Sequence, residues 1–344
     1  MPPEFHKCCI LGLGQMGLTC AALLTAERPE APEVRLWGHD PDEVGELTQM
    51  RSSDRLPGFT LPPEARVALS DAEALEGADL IVSAVPVQYT RAVWQRLRPC
   101  VPARAAVVSV AKGIENGPLL RPTQVIADVL ADDPDRRPRP LAALSGPTIA
   151  SELARGLPAT MVAASDDGGF AERIQGAFST SWLRIYTHTD LLGVELAGAT
   201  KNVIAIAAGI LDGLQAGYNA KSALLARGLA EIARLGCAMG ASRDTFFGVA
   251  GVGDLATTCF SPEGRNRSCG EALGRGAKLD EYLAKSRHVV EGVATTRSVR
   301  DLAGRYRVEM PITEAVHAVL FEKLDPIEGI SRLMSRQLKS ERIG

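Results

Sequence analysis

The stretch that most constrains the fold is ILGLGQMG, residues 10–17, in which glycines stand at positions 12, 14 and 17. It overlaps an apolar run that predicts a strand, Cys8–Leu13, and it opens a predicted helix, Gln15–Ala26. In a βαβ unit the first such glycine permits a tight turn, the second lets the backbone approach a pyrophosphate, and the third lets helix and strand pack closely. The stretch predicts a dinucleotide cradle at a helix N-terminus, against the alternative of a tight turn without a ligand.

Short apolar runs alternate with helical patterns through the first half of the chain. Further predicted strands are Val34–Gly38, Asp79–Val85, Ala105–Ala111, Leu141–Ser145, Thr160–Ser165 and Leu183–Thr187, and a further predicted helix is Thr123–Ala131. Several of these runs are apolar on both faces, as expected of parallel strands covered by helices above and below. The alternation predicts an α/β Rossmann-like domain with a doubly wound parallel sheet.

The pattern changes near Asp190, after which the chain shows helical patterns with few β-branched runs. We therefore predict two domains: residues 1–188, Rossmann-like and dinucleotide-binding, and residues 189–344, all-α, substrate-binding and catalytic. The charged, proline-rich stretch 131–140 predicts an exposed loop. The polar tail 338–344 predicts a frayed end.

Bulk properties exclude several classes of function. The net charge is −3 and no basic stripe is visible, which argues against nucleic acid as a partner. No uninterrupted apolar stretch reaches the ~20 residues of a membrane span, so no integral membrane segment is expected. The seven cysteines form no C-x-x-C pair, which disfavours a disulfide framework or a zinc site. We expect a soluble, unprocessed protein of the reducing cytoplasm, without a metal.

A lysine interrupts a segment that is otherwise apolar or small, GATKNVIAIAAGI. Such a helix is expected to be buried, and burial disfavours the charged form of Lys201. A lysine with a lowered pKa can accept a proton near neutral pH. The alternative is a lysine whose ammonium reaches the domain surface.

Other polar residues lie in loops that suit a ligand. Asp254 is a single carboxylate in the glycine-rich GVAGVGDLATTC; alternatively it caps the helix that follows. Arg265 and Asn266 open a predicted helix, where fork-shaped donors and free N–H groups suit a phosphate; alternatively Arg265 is a solvated surface residue. Lys112 follows one predicted strand, and SGPT, with Gly146 and Thr148, follows another. Ligands of open α/β sheets bind beyond such strand ends.

The second predicted strand ends in LWGHD, where dinucleotide-binding domains read the ribose. An acidic residue at this tip accepts the 2′-OH of NAD. His39 suits a 2′-phosphate and Asp40 would repel one, unless Asp40 belongs to a surface turn. The choice between NAD and NADP stays open.

Nine blocks in chain order resemble the NAD(P)-dependent glycerol-3-phosphate dehydrogenases of the bacterial type. The resemblance extends from about Cys9 to Leu338. The blocks are GLGQMG, LWGHDP, AKGIE, SGPTIASELARGLP, KNVIAIAAGILDGL, NAKSALLARGLAE, AGVGDLATTC, GRNRSCGEALG and VVEGVATT.

The resemblance implies a role for each matching residue, with Lys201 as the proton acceptor in the oxidative direction. The implied substrate-binding residues are Lys112, Gly146, Thr148, Lys201, Asp254, Arg265 and Asn266. The cofactor-binding residues are Gly12, Gly14, Gln15, Met16, Gly17, His39, Lys112, Ala150, Arg265, Val289 and Glu291. The chain departs from the family pattern at Met16, Leu18 and Gly264. At position 264 the family usually has a serine, so the glycine removes a hydroxyl that could bind the substrate phosphate.

The reaction implied by the resemblance is reversible hydride transfer between C2 of sn-glycerol 3-phosphate and C4 of the nicotinamide of NAD or NADP. This reaction would supply glycerol 3-phosphate for phospholipid synthesis. Separately, the helical domain is a candidate for a homodimer interface. Two alternatives remain. One is a β-hydroxyacid dehydrogenase, whose glycine motif is similar and whose substrates carry a carboxylate. The other is a dinucleotide-binding sensor without catalysis.

Overall fold

The structure is a computed structural model that describes residues 5–28, 30–131, 139–286, 288–338 and 340–341. Most of the predicted loop 131–140 and of the predicted tail 338–344 lies outside these residues. The chain forms two compact units. The first unit comprises Met1–Ala111 and Pro122–Leu191, and the second unit comprises Lys112–Arg121 and Leu192–Gly344. The two predicted domains, with their boundary between residues 188 and 189, stay a prediction.

The first unit is built on an eight-stranded sheet in the order β3-β2-β1-β4-β5-β6-β7-β8. The strands are β1 Lys7–Leu11, β2 Glu33–Trp37, β3 Ala65–Val67, β4 Leu80–Ser83, β5 Ala106–Ser109, β6 Leu141–Ser145, β7 Ala159–Ala164 and β8 Leu183–His188. Neighbouring strands pair in parallel except β6 and β7, which are antiparallel. The strand order reverses at β1, which lies between β2 and β4.

Both faces of this sheet are covered. Along β1, Cys8 and Ile10 belong to one buried apolar cluster, while Cys9 and Leu11 belong to another. Successive side chains of a strand point to opposite faces, so the two clusters are the two layers of a doubly wound fold. The helices of the unit are α1 Gln15–Thr25, α2 Pro41–Met50, α3 Asp71–Leu75, α4 Val87–Leu97, α5 Pro122–Val129, α6 Ala150–Ala154 and α7 Gly168–Phe178.

The predicted α/β class is confirmed, and each predicted strand is present within a few residues of its predicted ends. Strand β3 was not predicted. It has three residues at the edge of the sheet, and Arg66 in its middle is exposed between the buried Ala65 and Val67. So short an alternation falls below the length at which period-2 patterning identifies a strand.

Among the described residues of the second unit, all the regular secondary structure is helical, and Lys112–Arg121 forms a loop. Its helices are α8 Leu191–Gly213, α9 Gly217–Ala238, α10 Arg243–Phe247, α11 Asp254–Phe260, α12 Arg265–Gly274, α13 Leu279–Lys285, α14 Glu291–Tyr306, α15 Pro311–Phe321 and α16 Pro326–Met334, with a π-helical turn at Val249–Gly253. The predicted all-α character of this half is confirmed.

Helix α8 is the centre of the second unit. Within the described residues it is the one helix that is long and apolar enough to cross a bilayer. Its most apolar stretch of 18 residues is 94% buried inside the protein. Its apolar side chains pack in the core of the unit, which explains why the helix lacks a polar face.

Helices α8 and α12 cross through glycines. Gly209 and Gly213 lie one turn apart on α8, and Gly270 and Gly274 lie one turn apart on α12. A β-carbon on any of the four would stand less than 3.0 Å from a backbone oxygen of the other helix. The two backbones are therefore in direct contact, which larger residues would prevent.

Candidate active site

Lys201 lies in the middle of α8 with its side chain 7% exposed. Its Nζ is 2.7 Å from Oδ1 of Asp254 and also donates to the hydroxyl of Thr258. The alternative of a lysine that reaches the surface is therefore wrong: the ammonium is buried and paired.

Asp254 is the first residue of α11 and is buried. The π-helical turn that precedes it requires glycine, since a β-carbon on Gly251 would stand less than 3.0 Å from the carbonyl oxygen of Phe246. The carboxylate of Asp254 binds two ammonium groups, with Lys201 on Oδ1 and Lys112 on Oδ2 at 2.6 Å. Helix capping, the alternative interpretation of Asp254, does not describe this geometry.

Lys112 reaches the same carboxylate although 142 positions separate the two residues in sequence. Its backbone carbonyl accepts a hydrogen bond of 3.1 Å from Nδ2 of Asn202, the neighbour of Lys201 on α8. Two lysines from different segments thus share one buried acid.

Burial lowers the pKa of Lys201 from its ordinary 10.5 to about 8. The carboxylate of Asp254 acts in the opposite direction because it stabilises the ammonium, and the charge of Lys112 adds to the lowering. Desolvation is the largest of these effects. At neutral pH Lys201 is charged, yet it releases its proton far more readily than a surface lysine does.

Thr258 lies one turn after Asp254 on α11. Its hydroxyl donates to the backbone oxygen of Asp254 at 2.8 Å and accepts from Lys201. The bond to the backbone fixes the hydroxyl, which in turn orients the ammonium. Residues four apart share a helix face, and this spacing is a signal that could have identified Thr258 in the sequence.

The start of α12 holds the two predicted phosphate-binding residues. Arg265 is exposed, and its Nη1 donates to the carbonyl oxygen of Val289 at 3.3 Å. Asn266 is buried, and its Oδ1 accepts from the backbone N of Gly292 at 2.9 Å. A β-carbon on Gly292 would lie 2.7 Å from that oxygen, so glycine is required there. The bond joins the N-termini of α12 and α14.

In the first unit, the predicted glycine turn joins β1 to α1. Gly12 has φ +110°, and a β-carbon there would lie 2.9 Å from the carbonyl oxygen of Ala84. A β-carbon on Gly17 would stand less than 3.0 Å from the carbonyl oxygen of Gly12. Gly14 is the N-cap of α1, and a β-carbon on it meets no atom of the described residues within 4 Å. The turn is thus tight on the protein side and open beside Gly14.

The loop after β2 contains two predicted cofactor determinants. His39 is exposed. Asp40 is the N-cap of α2, and its carboxylate accepts from the backbone N of Asp42 at 3.0 Å. Asp40 therefore has a local role in starting a helix, and its relation to the cofactor stays a prediction.

The loop after β6 contains Gly146, which has φ +143°, and Thr148, whose hydroxyl donates to the carbonyl oxygen of Gly146 at 3.2 Å. Ala150 begins α6 and is buried. The loop follows a strand end of the sheet, as the sequence predicts.

Two family models match the chain. Residues 7–171 match the N-terminal domain of NAD-dependent glycerol-3-phosphate dehydrogenase, and residues 190–331 match its C-terminal domain. The chain belongs to the NAD-dependent glycerol-3-phosphate dehydrogenase family.

Similar proteins agree with this assignment. A glycerol-3-phosphate dehydrogenase (NAD(P)+) of Thermobifida fusca is 45% identical over 339 residues, which are 98% of this chain and 99% of the relative. One from Salinibacter ruber is 44% identical over 333 residues, 96% of each chain. The crystal structure of glycerol-3-phosphate dehydrogenase from Coxiella burnetii has a TM-score of 0.90 at 36% identity and covers 97% of this chain and 100% of its own.

The residues that the resemblance to glycerol-3-phosphate dehydrogenases predicts as a site fall in both units. The first unit contains Gly12, Gly14, Gln15, Met16, Gly17, His39, Gly146, Thr148 and Ala150. The second unit contains Lys112, Lys201, Asp254, Arg265, Asn266, Val289 and Glu291. Within the second unit, Lys112 and Lys201 both contact Asp254. Asn202 and Thr258 join this cluster and were not among the predicted site residues.

Proposed function

We propose that this protein catalyses the reversible interconversion of sn-glycerol 3-phosphate and dihydroxyacetone phosphate with NAD or NADP. The observation that carries the proposal is the buried Lys201, whose lowered pKa and fixed partner Asp254 suit proton transfer at a hydroxyl carbon. Family membership supplies the substrate class.

The glycine turn of the first unit fits a dinucleotide. The open space beside Gly14 admits a pyrophosphate to the N-terminus of α1, and β1 lies where the strand order reverses, the usual binding position in such sheets. The residues proposed to hold the cofactor are Gly12, Gly14, Gln15, Met16, Gly17, His39, Lys112, Ala150, Arg265, Val289 and Glu291. A bound nicotinamide supplies a hydride acceptor for oxidation and a hydride donor for reduction.

Lys201 moves the proton in this proposal. In oxidation the neutral amine takes the proton of the C2 hydroxyl, and in reduction the ammonium returns a proton to the C2 oxygen. Asp254 and Thr258 hold Nζ from two sides, so the lysine approaches the substrate oxygen in one orientation. Because the site is buried, each of these interactions is stronger than it would be in water.

Arg265 and Asn266 are proposed to bind the substrate phosphate at the start of α12. A guanidinium can bind a phosphate through two parallel hydrogen bonds, and the first backbone N–H groups of the helix add to the attraction. Gly264 precedes them as the N-cap of α12. Gly146 and Thr148 are also proposed to bind the substrate. We further propose that the reaction supplies phospholipid synthesis in the cytoplasm and that the protein is a homodimer.

The decisive assay is two-by-two. NADH and NADPH are each offered with dihydroxyacetone phosphate to the wild-type protein and to Lys201→Ala, and oxidation of the cofactor is followed by absorbance. We expect turnover by the wild type with at least one cofactor and a large loss in the variant. Wild-type turnover of 3-hydroxyisobutyrate in place of glycerol 3-phosphate would identify a β-hydroxyacid dehydrogenase instead. Tight NADPH binding without turnover of any hydroxy or keto phosphate would identify a sensor.

A further inference from the structure

Ten residues of the second unit lie in the chain between two parts of the first. We call this segment, Lys112–Arg121 with sequence KGIENGPLLR, the arm. Its first residue is the lysine that binds Oδ2 of Asp254. The position of Lys112 therefore depends on what holds the arm.

Apolar side chains anchor the arm in the core of the second unit. Ile114 is fully buried and Leu119 nearly so, and both belong to the same apolar cluster as α8. The arm also closes on itself, since the backbone N of Glu115 donates to the oxygen of Leu120 at 2.9 Å and the N of Leu119 donates to the oxygen of Glu115 at 3.1 Å. The arm is thus a compact loop with two apolar anchors.

One face of α8 holds both ends of the arm. Asn202 donates to the backbone oxygen of Lys112, and Glu195 forms a hydrogen-bonded ion pair with Arg121. Positions 195 and 202 are seven apart, which places them on the same helix face two turns from each other. The side chain of Glu195 is 1% exposed, and the ion pair with Arg121 offsets part of the cost of burying its charge.

Helix α14 holds the middle of the arm. The buried hydroxyl of Ser298 lies 2.8 Å from the carbonyl oxygen of Ile114 and 2.6 Å from Oδ1 of Asn116. Asn202 and Glu195 thus hold the two ends of the arm, and Ser298 holds its middle.

We propose that Arg121, Glu195 and Ser298 are positioning residues for the reaction: they hold the arm so that the ammonium of Lys112 stays on Asp254 beside Lys201. None of the three needs to touch the substrate. The inference rests on the proposed function, in which Lys201 moves the proton at the substrate oxygen while Asp254, which also binds Lys112, holds its Nζ.

Loosening the arm should change the pKa of Lys201, which a general loss of stability would not do. The charged or titratable groups that act on Lys201 are Asp254, Lys112 and Cys259. Burial raises the pKa of the Cys259 thiol to about 12, so this group stays neutral. If Lys112 withdraws, Lys201 loses a repelling charge and has Asp254 to itself, and its pKa rises.

The test compares Glu195→Gln and Ser298→Ala with the wild type and with Glu231→Gln. The control removes another buried glutamate of the same unit, on α9, which holds the start of α15 and not the arm. Two readouts are taken on each folded protein. One is the rate of trace acetylation of each lysine against pH, by mass spectrometry, with the exposed Lys278 as internal reference. The other is the pH profile of kcat/KM for oxidation of glycerol 3-phosphate.

We expect both arm variants to acetylate Lys112 several-fold faster than the wild type and to shift the rise of the oxidation profile upward by about one pH unit, the scale of a neighbouring charge. Glu231→Gln should leave both readouts in place even if its melting temperature falls. If Glu195→Gln does not fold, Ser298→Ala, which loses a single oxygen atom, decides the matter.

Folded arm variants with wild-type acetylation of Lys112 and a wild-type profile would overturn the proposal. In that case the proposed function would stand if the wild type turns over dihydroxyacetone phosphate. A wild type without turnover would refute the function separately, and acetylation of Lys112 would still report on the arm.

Discussion

At residue 201, burial and a neighbouring carboxylate act on the same ammonium in opposite directions. The sequence contained both influences, since an apolar helix surrounds Lys201 and Asp254 lies in a glycine-rich loop, but it did not indicate which was stronger. The structure resolves this because desolvation is the larger effect and lowers the pKa to about 8. The contact of Lys112 with Asp254 could not be predicted in the same way, because it depends on how distant segments pack. Thr258 was not predicted either, although its spacing of four residues from Asp254 was an available signal.

The lowered pKa of Lys201 predicts opposite pH dependence for the two directions of reaction. Oxidation needs the neutral amine, so its kcat should rise with pH and level off above about pH 8, whereas kcat for reduction should fall over the same range. Lys201→Ala should lower kcat by about 10²-fold or more, the usual scale of general acid–base catalysis, and abolish the rise. Steady-state kinetics from pH 6 to 10 test this, with the exposed Lys278→Ala as control. A near-normal kcat in Lys201→Ala would refute the role of the lysine.

Glu231 is a second buried charge with an altered pKa. Burial raises its pKa from 4.5 to about 7, although the backbone N of Ile312 donates to the carboxylate at 2.7 Å and that of Thr313 at 3.3 Å. The folded protein therefore binds this proton more tightly than the unfolded chain. The resulting stabilisation is fully present below about pH 4.5 and is lost as the pH rises through 7.

Glu231→Gln should remove this part of the pH dependence of stability. Between pH 5 and pH 8 the free energy of unfolding of the wild type should fall relative to that of the variant by ~3 kcal/mol, the equivalent of the shift in pKa. Urea unfolding at several pH values measures the difference, and the exposed Glu328→Gln should run parallel to the wild type. Parallel curves for Glu231→Gln and the wild type would contradict the prediction.

Among the elements, all strands but β3 were predictable, because apolar runs of five to seven residues bounded by turn signals are typical of a covered parallel sheet. The π-helical turn at Val249–Gly253 and the glycine crossing of α8 with α12 were not. Neither has a local signal: a glycine in a helix is unfavourable by propensity, and its reason here is the backbone of another helix. The crossing fixes the start of α12, where Arg265 and Asn266 lie, relative to the helix that bears Lys201.

Gly270→Ala should force α12 away from α8, because its β-carbon would stand less than 3.0 Å from the carbonyl oxygen of Ile206. We expect a loss of about 1–3 kcal/mol, the usual cost of overpacking, and a rise in KM for the phosphorylated substrate. Gly304→Ala in α14 is the matched control. Its β-carbon meets no described atom within 4 Å, so it should gain about 0.5–1 kcal/mol. Equal stability of the two variants in chemical unfolding would show that the helices can separate freely.

For the whole molecule, length and the change of pattern near Asp190 predicted a sheet half and a helical half. They did not predict that the arm packs with the helical half. The arm's own sequence has no helical period and directly follows a strand, so its association with α8 and α14 depends on Ile114, Leu119 and the polar attachments described above.

A fragment that begins at residue 192 should therefore be unstable. It lacks Ile114 and Leu119, and the loss of each buried aliphatic side chain costs about 2–5 kcal/mol. It also leaves the buried carboxylate of Glu195 without Arg121. Thermal melts followed by circular dichroism should show a weak or absent transition for the fragment, and a synthetic peptide of residues 112–121 should restore part of it. A cooperative melt of the isolated fragment, unaffected by the peptide, would contradict this.

The arm also determines how such enzymes can be recombined. Consider a hybrid in which residues before about 190 come from one relative and the rest from another. Its arm would come from the first parent, whereas the helices α8 and α14 on which the arm packs would come from the second. Hybrids that also exchange residues 112–121 keep the arm with the α8 and α14 of the same parent. The second unit is therefore encoded by two separate stretches of the gene, and both must be exchanged together to transfer it intact.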